Sequence, residues 1–388
     1  MAPFCEEIAP AMHIPDGYLS PATCAALYGV AASGWAVALR RLKRRLASRT
    51  IPLISVFAAF AFVLMMFNLP LPGGTTGHAV GVAVAAIVLG PSGAILAISL
   101  ALTIQALFFG DGGITALGAN CCNMAIVGAL TSWWVYRLLH GAANASIRRK
   151  ALAAAIAGYV AINLSALCAA VEFGLQPLLF HDAQGAPLYA PYPLSVAIPA
   201  MMIGHLTFAG AAEALVSAGI VSYLLRTNPS LLRAEAGGEI VGTAPTGSLR
   251  RLWTMVAILL VCTPLGILAA GSAWGEWSAS DFANPQTRAA IAQASRHQPP
   301  PAAAPKGLEH LATLWTAPFP DYAPAFVKNP WLGYLLSAAF GAGLLLTLCL
   351  LAQLFWRRGG GRSSEANGGG DGGSDGNRRT NGHDGERP

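Results

Sequence analysis

The sequence predicts an all-α, polytopic helical membrane protein, built as a seven-helix body followed by a two-helix accessory module, about nine transmembrane helices in all. Three observations lead there. Hydrophobic residues make up 54% of the 388 positions and charged residues only 11%, against about 25% charged in a soluble globular domain. Apolar runs recur near the roughly 20 residues that cross a bilayer as a helix. And the basic residues fall on one side of an alternating set of spans.

Hydropathy marks nine segments, at about 19–39, 51–69, 76–90, 91–110, 114–139, 151–178, 193–225, 252–273 and 330–355. The third has a continuous apolar stretch only from Ala79 to Leu89, too short to span alone. It is expected to continue from an ordered loop or to be partly re-entrant. Gly90-Pro91 separates it from the fourth, a strong turn signal. The first carries small residues four apart, Ala25, Gly29 and Ser33, which let helices approach closely in lipid; internal packing is the expected use, ahead of docking to another membrane subunit.

Of the 24 Lys and Arg, 20 fall after segments 1, 5 and 7 or in the tail, one side of the membrane if nine spans alternate. The other four, Arg288, Arg296, Lys306 and Lys328, share one long loop. The positive-inside rule then puts the amino terminus outside, the tail in the cytoplasm and the chain in a cell (inner) membrane as a multi-pass protein. The expected organisation is a dispensable extension 1–11, a membrane body 12–226, a cytoplasmic linker 227–251 and a two-helix module 252–356 with an outer loop 274–329. A disordered Gly-, Asn- and Asp-rich tail, 357–388, follows. The +6 formal charge thus reflects topology, and nucleic acid is not an expected partner.

The seven cysteines form no C-x-x-C pair, which argues against a zinc ribbon or a disulfide framework and for small buried hydrophobes. There is no G-x-x-x-x-G-K-[ST], no H-E-x-x-H and no G-x-S-x-G. The chain therefore carries no phosphate loop of its own, and the commonest hydrolase constellations are missing. An enzymatic role and a catalytic cofactor are not expected.

Two of the eight histidines stand out by position. His13 lies in Met12-His13-Ile14-Pro15-Asp16-Gly17-Tyr18-Leu19, just before segment 1, and His78 in Gly73-Gly74-Thr75-Thr76-Gly77-His78, before segment 3. Both fall on the outer side in glycine-rich backbone. Position alone leaves each as either a polar rim residue or a metal ligand.

The run from Met12 through Leu19-Ser20 resembles the signature amino terminus of the CbiM/NikM family, the cobalt- and nickel-specific substrate-binding components of energy-coupling-factor transporters. The resemblance continues in Gly77-His78, in Gln105-Ala106-Leu107-Phe108-Phe109-Gly110-Asp111-Gly112-Gly113, in Ala116 to Met124, around Glu172, and from His205 to Leu215. The segment from about 252, with Trp274-Gly275-Glu276-Trp277, resembles more loosely a fused CbiN/NikN component.

The resemblance implies that Ni(II), or else Co(II), is the transported ion. It implies a donor set of the amine of Met12, the amide nitrogen and imidazole of His13, and the imidazole of His78. Fused chelate rings of this kind are nearly planar and favour tetragonal ions over tetrahedral zinc. They also require a free amine at Met12, hence the expectation that the functional protein begins there rather than at Met1, by a start at Met12 or by cleavage after Ala11. The implied partners are a transmembrane coupling (T) subunit and two ATP-hydrolysing (A) subunits, in the lipid bilayer.

Four further residues are candidates for supporting the ligands. Asp111, Asn120 and Asn123 either cap helices or hold the metal ligands. Glu172 either supports the site or is solvated near the outer end of segment 6. His205 and Glu213, about 80° apart around one helix, are expected to be packing or interface residues. A stand-alone metal permease is the alternative reading.

Overall fold

The computed structural model describes residues 13–43, 50–71, 75–142, 144–233, 246–269 and 273–365. Met12, the extension 1–11, residues 234–245 of the linker and the residues after 365 lie outside that set. Six helical segments are long and apolar enough to cross a membrane, and Ile51–Met65 is a shorter apolar helix beside them. The protein is a polytopic helical membrane protein.

Local chemistry explains where the helices begin. Pro21 opens the helix Pro21–Lys43 at a position where a missing amide proton costs nothing. The Ser20 hydroxyl accepts from the Thr23 amide at 3.1 Å, a cap on that first turn. The helix ends on Arg40, Arg41 and Lys43, cations that suit its carbonyl end. Ser146 caps Ile147–Leu179 in the same way through the Arg149 amide.

The segment Val82–Phe109, 28 residues long, is a hairpin rather than one span. The loop before it holds His78 and the loop after it holds Asp111, yet both residues meet the same His13 side chain. A straight helix would part those ends by about 42 Å. The return is made at Gly90, whose φ of 71° and ψ of 169° break the helix just before Pro91. The arm 82–89 is therefore only about 12 Å long and is buried over Val82–Val88. It is the short third segment anticipated from its apolar length.

With that hairpin, the described helices alternate between two ends. One end carries His13, His78 and Asp111. The other carries the basic residues Arg40, Arg41, Lys43, Arg137, Arg226 and Arg251. A two-stranded antiparallel ribbon, Leu69–Leu71 with Thr75–Gly77, lies at the histidine end and leads directly into His78. Its three-residue strands are too short for a sequence period to reveal.

The accessory helices Thr246–Cys262 and Pro330–Glu365 pack against Thr50–Met65. The Tyr334 hydroxyl donates to the Met66 carbonyl at 2.8 Å. Between them, residues 273–329 lie across the histidine end, where Trp274, Trp277 and Phe282 join Ile14, Tyr18 and Phe173 in one buried cluster. The small-residue stripe is the main departure from expectation: Ala25, Gly29 and Ser33 are exposed, so internal packing is not their use. Cys24, Cys121, Cys122 and Cys349 are free and buried, and Cys168 and Cys262 are free and half-buried.

Candidate metal centre

The first described residue is already buried in the site. His13 and His78, far apart in sequence, stack at a ring-centroid separation of 5.2 Å and a tilt of 53°. An ion about 2.0 Å from a ring nitrogen lies about 3.2 Å from that ring's centroid, so one ion can hold two rings up to about 6.3 Å apart. The observed spacing falls within that reach.

Each ring is oriented through its Nδ1 atom. His13 Nδ1 meets Asp111 Oδ1 at 2.6 Å, and His78 Nδ1 meets the Ala79 carbonyl at 3.2 Å. A carbonyl can only accept, so the His78 proton sits on Nδ1 and Nε2 carries a lone pair. The Nε2 atoms of both rings are enclosed and have no hydrogen-bond partner among the described residues. Buried polar atoms without partners are rare and call for an explanation; a metal ion is the natural one, since ligating histidines commonly give their other N–H to a carboxylate or carbonyl. Burial, and then the neighbouring His13, push the His78 imidazole down to about 3, so it is neutral and able to ligate at physiological pH.

Asp111 is the hub. Its Oδ2 accepts from the Tyr322 hydroxyl at 2.6 Å and from Gln105 Nε2 at 3.2 Å, and Gln105 also donates to the Tyr322 oxygen at 2.9 Å. Burial alone would raise the carboxyl; the facing His13 and the hydrogen bonds from His13 and Tyr322 outweigh it and hold it below the usual range. Gly112 follows with a φ of +84°, and a Cβ there would sit 2.8 Å from the His13 Cβ. Only glycine lets the Asp111 loop approach so closely.

Asn120 clamps the backbone next to His13. It accepts from the Ile14 amide at 3.0 Å and donates to the Ile14 carbonyl at 3.1 Å, so its side-chain amide imitates a strand partner. Asn120 precedes the turn Cys121–Val127 and makes no side-chain cap there. Asp16 extends the clamp by accepting from the Ile114 and Thr115 amides at 3.1 and 2.7 Å. Asn123 lines a cavity together with His13, His78 and Asn120 and donates to Glu172 Oε2 at 2.8 Å. Glu172 thus touches the site through Asn123 and is not among the cavity's lining residues.

Glu213 packs against Gly158 of the helix Ile147–Leu179, as expected, and both His205 and Glu213 have a further part. His205 lines the cavity. Glu213, fully buried, accepts from the Val80 and Gly81 amides at 2.7 and 2.9 Å. It therefore fixes the turn that connects His78 to Val82, where Gly81 has a φ of +72°. Three π-helical turns, Gln105–Phe109, Cys121–Val127 and His205–Ala209, carry Gln105, Asn123 and His205, in keeping with the frequent placement of such bulges at functional sites. Among the described residues no three His, Cys, Asp or Glu side chains form a ready metal cage; the described donors are two imidazoles.

A helical membrane bundle enclosing two imidazoles whose Nε2 atoms lack partners among the described residues suits a membrane protein that handles a metal ion. The model of the family CbiM, described as the cobalt uptake substrate-specific transmembrane region, matches residues 13–231, and that of the PDGLE domain matches residues 250–358. The chain belongs to the CbiM family and carries a PDGLE domain behind it. It is 56% identical over 335 residues to the fused nickel transport protein NikMN of Rhodobacter capsulatus, covering 86% of this chain and 95% of that relative. It is 41% identical over 340 residues to the probable fused nickel transport protein LarMN of Lactiplantibacillus plantarum, covering 87% and 96%. The cobalt transport protein CbiM of Geobacter sulfurreducens is 32% identical over 267 residues, covering 68% and 72%. The crystal structure of a transition metal transporter superposes with a TM-score of 0.53 at 48% identity, covering 58% of this chain and 98% of that one. A truncated transition metal transporter gives 0.52 at 50% identity, covering 55% and 99%. The chain is a component of metal-ion uptake.

Proposed function

We propose that this chain is the substrate-capturing component of an ATP-driven nickel uptake transporter, and that it takes Ni(II) from the outer face at His13 and His78. The observation that carries this reading is the pair of enclosed, partnerless Nε2 atoms on rings 5.2 Å apart. The two fused relatives, both named for nickel, favour that ion over the cobalt of the Geobacter relative. Copper would bind more tightly at nitrogen, so selection rests also on availability and on partner subunits.

The planar chelate constrains His13 further. Only Nδ1 closes a six-membered ring with the residue's own amide nitrogen, and here Nδ1 faces Asp111. A half-turn about Cβ–Cγ exchanges the two edges of the ring, bringing Nδ1 to the cavity and Nε2 towards Asp111. In either orientation the carboxylate serves the nitrogen that the ion does not use. The chelate also needs the α-amine of Met12, so the nickel-binding form begins at that residue. Intact-mass measurement of protein from the native host is expected to find it there; Met1 retained on a tightly binding protein would require another donor set.

Energy is supplied by T and A subunits, the latter hydrolysing ATP. Uptake of radioactive nickel by cells expressing this chain is expected only when genes for those subunits are present, and uptake without them would make it a stand-alone permease. The basic residues at the end opposite the histidines support an outward-facing site. A cysteine replacing Pro300 is then expected to react with impermeant thiol reagents in intact cells, and protection there would reverse the orientation.

A further inference from the structure

One cavity-lining group has no part in the site as described. Among the described residues, Glu276 is the single carboxylate on the wall of the cavity that His13, His78 and His205 share, and no lysine or arginine lines it. Its Oε2 atom is enclosed and has no hydrogen-bond partner among the described residues.

The segment that carries Glu276 is fastened in place on both sides. The Tyr18 hydroxyl donates to the Trp277 carbonyl at 2.7 Å and accepts from the Trp277 amide at 3.1 Å. Trp274 Nε1 donates to Ser295 at 3.1 Å. Gly275, with a φ of +88°, lies against the Phe173 ring, where a Cβ would approach to 2.8 Å. A turn this constrained holds one carboxyl oxygen where none of the described residues satisfies it, while the Ala273 backbone hydrogen-bonds to the carboxyl group. Burial, and then the nearby Asp111, raise that carboxyl well above its ordinary range.

We propose that Glu276 is the accessory module's own ligand for the incoming divalent cation, a carboxylate that receives hydrated Ni(II) in the cavity and passes it to His78 and His13. The chemistry fits each step. A hydrated dication meets a low-dielectric cavity, and a carboxyl that gives up its proton there supplies one anion to replace the water the ion sheds. Oxygen is the weaker donor for Ni(II) and imidazole the stronger, so transfer runs towards the histidines. When the ion arrives, the Glu276 proton leaves to water.

This inference rests on nickel being held at His13 and His78, and the test separates the two claims. The full chain in detergent is mixed with the Ni(II) aquo ion in a stopped-flow instrument, and final affinity is read by competition with a chromophoric chelator. Glu276→Gln keeps the volume and removes the charge. Loading and release are both expected to slow by about tenfold or more, the low end of what a single-sign cleft adds to association rates, with the final affinity nearly unchanged. Glu276→Asp is expected to recover part of the rate. Loading of Glu276→Gln at the wild-type rate, or a Glu276→Asp protein no faster than it, overturns the proposal. Where Glu276→Gln does not fold, wild type against Glu276→Asp carries the comparison, and equal rates overturn it. Wild-type affinity in His78→Ala would instead overturn the site itself, whatever Glu276 does.

Discussion

Asp111→Asn tests the hub of the site with almost no change of shape. In the wild type the carboxylate takes His13 Nδ1 at 2.6 Å, the Tyr322 hydroxyl at 2.6 Å and Gln105 Nε2 at 3.2 Å. An amide offers one acceptor oxygen where the carboxylate offers two, and its NH2 faces a donor on the other side. Hydrogen bonds to charged groups contribute about 1.5–3 kcal/mol each, and removing the partner of a ligating histidine typically costs about 10–100-fold in metal affinity. Nickel affinity is therefore expected to fall by about 10–100-fold, equivalent to about 1.4–2.8 kcal/mol. Competition against a chelator of known affinity reads the change, and the melting temperature of the metal-free protein shows that the fold is retained. Affinity within about twofold of wild type in a folded Asp111→Asn protein would show that the carboxylate does not orient a ligand.

Other outcomes follow from neighbouring contacts. Tyr322→Phe removes one donor to Asp111 but leaves Gln105 in place; a loss of about 1 kcal/mol in nickel binding is expected by the same competition assay. Glu213→Ala frees the buried Val80 and Gly81 amides and is expected to destabilise the protein by about 2–6 kcal/mol, at about 1–3 per orphaned group, while loosening the His78 loop. Thermal melting and nickel affinity read the two effects separately. The His78 pKa, about 3 when folded against about 6.5 unfolded, fixes a sign for pH dependence. The unfolded chain takes up the proton first, so His78's contribution is fully present above pH 6.5 and is lost as pH falls towards 3. The slope is up to about 1.4 kcal/mol per pH unit, and His78→Gln is expected to flatten the corresponding part of the melting-temperature profile.

How much of this was legible in the sequence depends on the range of the interactions. Spans were readable because apolar length is a local property, and the short third segment was readable because Gly90-Pro91 marks its end. His13 and His78 were found through motif resemblance; spacing could not show that their rings would stack. Asn120 and Asn123 were candidates with two roles open, and only tertiary contacts display the clamp on Ile14 and the link to Glu172. The part of Glu213 beyond packing was not legible because a helical wheel compares it with His205 on its own helix, whereas its partners are amides 132 and 133 residues away. Tyr322 and Glu276 were missed for the same reason: they come from the segment 273–329, and no local pattern ties that loop to a site built by residues near the other end of the chain. The exposed stripe of Ala25, Gly29 and Ser33 shows the converse limit, since small residues permit close packing without saying against what.

The central claim is that one ion is held jointly by His13 and His78, and equilibrium nickel binding to wild type, His78→Ala and His140→Ala tests it most directly. His140 lies beyond the far end of the helix Gly128–Leu139, against Tyr136, and serves as the control. The account predicts wild-type affinity for His140→Ala and a loss of more than about 100-fold for His78→Ala, beyond the range seen for partners of ligands. High-affinity binding that survives in a folded His78→Ala protein would contradict it.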